Sequence, residues 1–378
     1  MNPTPAAENP VPQHESYDVL VVGAGPAGTM AARAAASTGA RVLLADSAPL
    51  PRYKSCGGML NEYAQRALSA VGELPREAVL EPEWVNFRYY DWDRGIKKPC
   101  SLRFRNVDRG MLDRWMLEQL PDSVAVWDHA SFVGCTQDDE GVDVALQRQG
   151  RPVQVRARWL IGADGARSSG RRAHGGWPQT QCYKTVQEFV SIEPGSVEPY
   201  FDCIYSRHVA PEYGYGYIVP KGDVAIVGSV FFPGTKNVPP MHERALQIFG
   251  ERYPLGKAVR REAGVAIQVR SASDIVAGQG RVLMAGEAAG LMSPSSGEGI
   301  SFALNSGTLA GQAVACAFTA AGHDRASLAI DAYEQTLAPL RKNIAFRLRF
   351  FPVMNSSWGK WLGGCMPTAL VSKITERL

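Results

Sequence analysis

Gly23-Ala24-Gly25-Pro26-Ala27-Gly28 spells G-x-G-x-x-G, a spacing that suits a diphosphate. The first glycine permits a tight turn, the second lets backbone N–H groups approach a pyrophosphate, and the third lets a helix pack on the preceding strand. Pro26 and Ala27 open that helix, whose N-terminus offers free N–H groups and partial positive charge to phosphates. Asp46 follows 23 residues after Gly23, with Ser47 beside it. Its carboxylate suits a ribose diol. The motif predicts a bound dinucleotide.

Two later segments bear on which dinucleotide. Leu160-Ile161-Gly162-Ala163-Asp164-Gly165 ends an apolar run in an Asp-Gly turn. Gly286-Glu287-Ala288-Ala289-Gly290 continues through Pro294 and Ser296-Gly297-Glu298-Gly299-Ile300 into a helical pattern. The second array sets an acid at a strand end and free amides at a helix start. A flavin needs groups of both kinds, for its ribitol hydroxyls and for its pyrophosphate and ring edge.

The elements that must hold these groups can be read from periodicity. Tyr17–Val22 is a short apolar run that reads as a buried parallel strand, Pro26–Thr38 as a helix and Arg41–Ala45 as the next strand. That is a βαβ unit. Arg109–Leu120 reads as a helix, and residues 123–161 as a meander of short strands. From about 176 to 265 the chain turns β-rich and aromatic, with a helical patch at His242–Tyr253. Arg281–Ala285 is again a strand, Gly297–Ala321 a long helix of small residues, and the rest helical. The expected fold class is α/β (α+β overall): a Rossmann-like domain, an inserted antiparallel sheet domain and a C-terminal helical segment. The expected boundaries are a loose tail over 1–15, a discontinuous nucleotide-binding domain over 16–75, 100–175 and 266–325, a substrate domain over 76–99 and 176–265, and a helical region over 326–378.

Composition agrees with a globular enzyme. Of 378 residues 45% are hydrophobic and 20% charged, and 38 Gly with 25 Pro predict many turns. A net charge of +3 argues against a nucleic-acid binder. The seven cysteines show no CxxC pair, and neither they nor the six histidines show metal-ligand spacing or a hydrolase signature, so no metal is expected. No stretch is apolar enough to span a membrane, and a reducing cytoplasm is the default compartment.

Together with Arg109 in VDRGMLDRWML, these segments resemble the flavoprotein superfamily related to p-hydroxybenzoate hydroxylase and the geranylgeranyl reductases, over roughly residues 16 to 320. The resemblance implies FAD on the N-terminal unit, Arg109 among the cofactor-binding residues, and a β-rich domain over the isoalloxazine. Glu287 stands where the family more often has Asp. No second strand–GxGxxG–helix unit follows, so electrons are expected from NAD(P)H bound without its own domain or from a protein donor.

Arg52-Tyr53-Lys54-Ser55-Cys56-Gly57-Gly58 resembles the K-x-C-G-G loop of the geranylgeranyl reductases, and Tyr213–Lys221 resembles their Y-x-W-x-F-P segment, with Tyr217 for Trp and Val219 for Phe. The halogenases' W-x-W-x-I-P is less similar. On a regular strand Tyr213, Tyr215 and Tyr217 would face one side and wall one pocket. The Gly57-Gly58 pair would let the loop swing Cys56 toward the flavin, where a thiol can donate a proton. Cys56, Tyr215 and Tyr217 are therefore the expected catalytic residues. The leading expectation is a reductase of carbon–carbon double bonds in an isoprenoid or other apolar molecule. The runner-up is a monooxygenase acting on an aromatic or other apolar molecule, and a third reading is an electron carrier. The basic, aromatic C-terminal segment admits peripheral contact with the inner membrane face.

Overall fold

The structure, a computed structural model, describes residues 15–209, 213–320 and 325–377. The expected tail over 1–15 lies almost wholly outside them. Two eight-stranded sheets carry the fold. In the first, Val282–Met284, Arg151–Gly162, Glu15–Val22, Val42–Ala45 and Val124–Trp127 lie side by side and parallel. Their β-branched and leucine side chains are buried on both faces, as a covered parallel sheet requires. The hairpin Ala130–Gln137 and Val142–Arg148 extends antiparallel from Arg151–Gly162.

Register sets what meets at the carboxyl edge. Val22 pairs with Ala45 and with Gly162, and Gly162 with Met284. Gly23, Asp46, Asp164 and Gly286 therefore emerge close together, where ligands of such sheets bind.

Helix Pro26–Ala36 leaves this edge and crosses helix Ile300–Thr319 on small residues. A Cβ on Gly307 would lie 2.0 Å from the Ala27 carbonyl oxygen, and one on Gly311 2.4 Å from that of Ala31. Backbone touches backbone there, and only glycine fits.

The second sheet runs Ala258–Gln268, Gln181–Ser191, Val224–Phe231, Tyr213–Lys221, Tyr200–Tyr205, Val79–Asp91, Ile96–Val107 and Met59–Leu60. It is antiparallel except that Tyr200–Tyr205 runs parallel to Val79–Asp91. Ile96–Val107 and Ala258–Gln268 carry sheet membership past the expected boundaries at residues 100 and 265. Alternation sorts its two faces. Ile204, Ile218, Val227 and Phe231 pack outward under helix Val238–Gly250. Val85, Tyr217, Val219, Ile226 and Val230 form the other face with Phe104, Phe189, Phe201 and Tyr215.

Helices Arg325–Asn355, Ser357–Cys365 and Thr368–Arg377 close the chain. Buried Tyr333 ties the first of them to the parallel sheet by donating its hydroxyl proton to the Met284 carbonyl at 2.7 Å. Among the described residues no helix is long and apolar enough to cross a membrane.

Candidate active site

Gly23 takes φ +102° directly after the first strand, and a Cβ there would lie 2.4 Å from the Ala163 oxygen. Its N–H donates to Ala45 O at 2.7 Å. A Cβ on Gly28 would lie 1.7 Å from the Gly23 oxygen, so the turn closes only with glycine at both places. Gly25 differs, because its nearest neighbour is the movable tip of Arg52 at 3.0 Å. Pro26 begins the helix and no side chain caps it. The backbone is thus open where a pyrophosphate would approach.

Asp46 is buried and already oriented. Ala24 N donates to its Oδ2 at 2.7 Å, Ala48 N to Oδ1 at 2.9 Å, and Arg52 Nε to Oδ2 at 3.2 Å. Arg52 thereby places a cation over the glycine turn, next to the carboxylate that suits a ribose. Ser47 is exposed beside it. Asp164 accepts from Ser169 N at 2.6 Å through Oδ2, while its Oδ1 is buried without a hydrogen-bond partner among the described residues. Buried acceptors are seldom left so, and a cofactor hydroxyl or water would complete it. Gly165, at φ +74°, turns the chain away.

Glu287 bridges two distant pieces of chain. Its Oε1 accepts from Ile267 N and its Oε2 from Lys54 Nζ, both at 2.9 Å. Gly297 takes φ +68° with Tyr215 Oη 3.2 Å from where its Cβ would be, and Tyr215 donates to Ser296 O at 3.4 Å. Gly299 precedes the long helix, and Ile300 opens it and packs on a buried cluster with Met30 and Leu304. Orphaned acceptor, open glycine turn and paired acids fit a flavin dinucleotide lying along this edge. Gly23, Gly25, Pro26, Ala27, Gly28, Asp46, Asp164, Glu287 and the Gly297–Ile300 segment would hold it.

The Cys56 loop lies between this edge and the aromatic sheet face. Gly58 N donates to Cys56 Sγ at 3.4 Å, and the Arg109 guanidinium lies near enough for the two groups to influence each other electrostatically. A Cβ on Gly57 would meet Phe201 at 3.6 Å and Tyr217 at 3.9 Å. In the loop expected to swing, Gly58 sits at φ +65°, and a Cβ there would strike Val107 O at 2.1 Å, so only glycine fits. Val107 N donates to Gly58 O at 2.9 Å, and buried Lys221 Nζ donates to Val107 O at 2.9 Å and Gly58 O at 3.4 Å. These bonds hold the end of the loop at Gly58 to the strand Ile96–Val107. Burial pushes the Lys221 amine down to about 7, against the pull of Cys56 and Asp108.

Arg109 was expected among the cofactor ligands. It is buried with its Nη2 on both Asp113 oxygens, at 2.9 and 3.0 Å. A buried guanidinium needs such a partner. Burial works against its charge, but Asp113 and Cys56 outweigh that and hold it protonated above the ordinary range. Of the expected tyrosine row, the Tyr213 side chain lies outside the described residues. The strand register shifts between Tyr213 and Tyr215. Tyr217 is buried, stacks on Phe201 at 5.3 Å and donates to Gln187 Oε1 at 3.1 Å. Burial raises its phenol well above the ordinary value. Gln187 Nε2 in turn donates to Glu262 at 2.8 Å. A Cβ on Gly228 would lie 2.0 Å from the Tyr217 ring, so that glycine makes room for it.

Gln187 was not singled out from the sequence, and Arg52, Lys54 and Lys221, although they stand in the quoted loop and strand, were given no role there. Arg52 and Lys54 carried a signal, two cations shortly after the ribose acid. Lys221 carried another, a charge ending an apolar strand.

Residues 16–198, just under half of the chain, match the family described as FAD binding domain, and the fold and edge geometry suit a flavin dinucleotide. FAD is the chain's cofactor class. Protein CbrA of Escherichia coli O9:H4 (strain HS) is 29% identical over 302 residues, 77% of this chain and 80% of that one. A geranylgeranyl bacteriochlorophyll reductase-like protein from Thermoplasma acidophilum has the same fold at TM-score 0.75 and 20% identity, covering 97% of this chain and all of that one. The p-nitrophenol 4-monooxygenase of Pseudomonas putida superposes at TM-score 0.69 and 17% identity over 96% and 95% of the two chains.

Proposed function

We propose that the protein reduces a carbon–carbon double bond in an isoprenoid or other apolar molecule. The observation that carries this reading is the position of Cys56, a thiol that accepts from Gly58 N and is flanked through Gly57 by Phe201 and Tyr217. When bound and reduced, FAD supplies a hydride equivalent for one alkene carbon. The Cys56 Sγ–H offers the proton for the other carbon and is afterwards reprotonated from solvent. The face of Tyr217, Val219, Phe201 and Phe104 receives the apolar chain and excludes water. Tyr215 stands over the Ser296-Gly297 segment, beside residues that would hold the cofactor. Tyr217, bound to Gln187, shapes the wall and leaves proton donation to Cys56. Reducing equivalents come from NAD(P)H or a protein donor.

A second reading, hydroxylation of an apolar or aromatic molecule, draws on the fold shared with p-nitrophenol 4-monooxygenase. Turnover without oxygen, with dithionite as reductant, separates them. A reductase works under those conditions and its product gains two hydrogens by mass spectrometry. Strict oxygen dependence with gain of one oxygen atom overturns the reductase reading. Cys56→Ser should keep FAD and its reduction while slowing alkene turnover by up to about 10²–10⁴, the reach of general acid catalysis. Wild-type turnover in that variant would remove Cys56 from the reaction.

A further inference from the structure

Half of the fourteen large apolar side chains exposed among the described residues fall between residues 346 and 374. Their spacing is helical. On helix Arg325–Asn355, Lys342, Phe346, Arg349, Phe350 and Val353 are exposed and recur every three or four residues, so they share one face. The opposite side turns Tyr333, Leu337 and Ile344 into the core. Trp358 and Trp361, 61% and 53% exposed, lie three residues apart on Ser357–Cys365. Leu370 and Ile374 lie four apart on the last helix, with Lys373 exposed beside them.

Charge is concentrated in the same place. Residues 335–378 hold seven Lys and Arg against one acid, Glu376, whereas the whole chain is only +3. The remainder of the molecule is therefore net negative. The helices are fastened to the body: Arg94 Nη2 donates to Trp361 O at 3.0 Å, Ser101 N to Ser372 Oγ at 2.8 Å, and Arg347 Nη1 to Ser293 Oγ at 2.9 Å. The apolar, cationic face thus abuts both the Val79–Val107 strand pair and the loop that leads to Ser296 and Gly297.

We propose that these three helices seat the protein on an anionic lipid surface, lying in the plane of the interface. Aromatic rings with interleaved cations are what such a surface binds, the rings entering the headgroup region and the cations meeting lipid phosphates. A second copy of the chain is disfavoured as occupant, since two such faces would oppose two cationic surpluses. Seating on lipid does not depend on the reaction proposed above.

Sedimentation of the FAD-loaded protein with vesicles tests it, using phosphatidylcholine alone and phosphatidylcholine mixed with phosphatidylglycerol. Binding should be at least about tenfold stronger to the mixed vesicles and should weaken with added salt. The Trp358→Ser/Trp361→Ser and Lys342→Glu/Arg349→Glu pairs should each weaken it by about tenfold or more, with FAD content and thermal midpoint unchanged. Absent binding, equal binding to both vesicle types, or a solution dimer that both variant pairs dissociate would overturn the proposal. Vesicle binding and alkene turnover are read separately, so failure of one leaves the other standing.

Discussion

At the scale of single residues, the two glycines of one motif do different work and should fail differently. Gly25→Val should fold, because its Cβ meets only the movable Arg52 tip, yet lose the flavin spectrum, because the branched side chain fills the diphosphate's approach. Gly28→Val should not fold, since its Cβ would lie 1.7 Å from a carbonyl oxygen. Flavin absorbance and circular dichroism tell the outcomes apart; a folded, yellow Gly25→Val protein would remove the turn from the site. Tyr217→Phe should cost about 1–3 kcal/mol in urea unfolding, as the buried Gln187 carbonyl loses its donor. The glycines were legible in the sequence because their spacing is itself the geometry. The partners of Glu287 were not, because which base a distant acid meets is decided by folding, whereas Arg109 meets Asp113 four residues on along its own helix. Lys54 and Glu287 are 233 residues apart in the chain.

At the scale of elements, periodicity located both kinds of sheet, and it erred where a strand departs from regularity. The register shift beside Gly214 and the reach of Ile96–Val107 into the second sheet carry no mark in hydrophobic alternation, which reports a face but not a partner. One feature of that sheet predicts a pH response. His242, fully buried on helix Val238–Gly250, shares a hydrogen bond with Ser229 at 2.8 Å. Burial, aided by Arg261, pushes its pKa down to about 4. Between there and the ordinary value near 6.5 the unfolded chain takes up a proton that the folded one refuses. This contribution is present in full above about pH 6.5 and is lost as the pH falls toward 4, about 3 kcal/mol in total. His242→Gln should therefore flatten the dependence of urea stability on pH between 7 and 5. An unchanged slope would place the acid sensitivity elsewhere.

At the scale of the whole molecule, the close crossing of Pro26–Ala36 and Ile300–Thr319 does more than fill space. One helix begins at the diphosphate turn and the other at the Gly297–Ile300 segment. Gly307 and Gly311 lock their backbones together, so the gap between those two starting points is fixed by contact rather than by any flexible link. The pair acts as a caliper whose jaws are set before any ligand arrives. A molecule long enough to touch both jaws gains from both at once, whereas one that fills a single jaw gains only locally. FMN, which lacks the adenylate half, should accordingly bind at least about tenfold more weakly than FAD. Gly307→Ala, which would push Ala27 and its helix outward, should erode FAD affinity far more than FMN affinity. Equal losses for both ligands in titration would mean that the spacing between the jaws plays no part in choosing the cofactor.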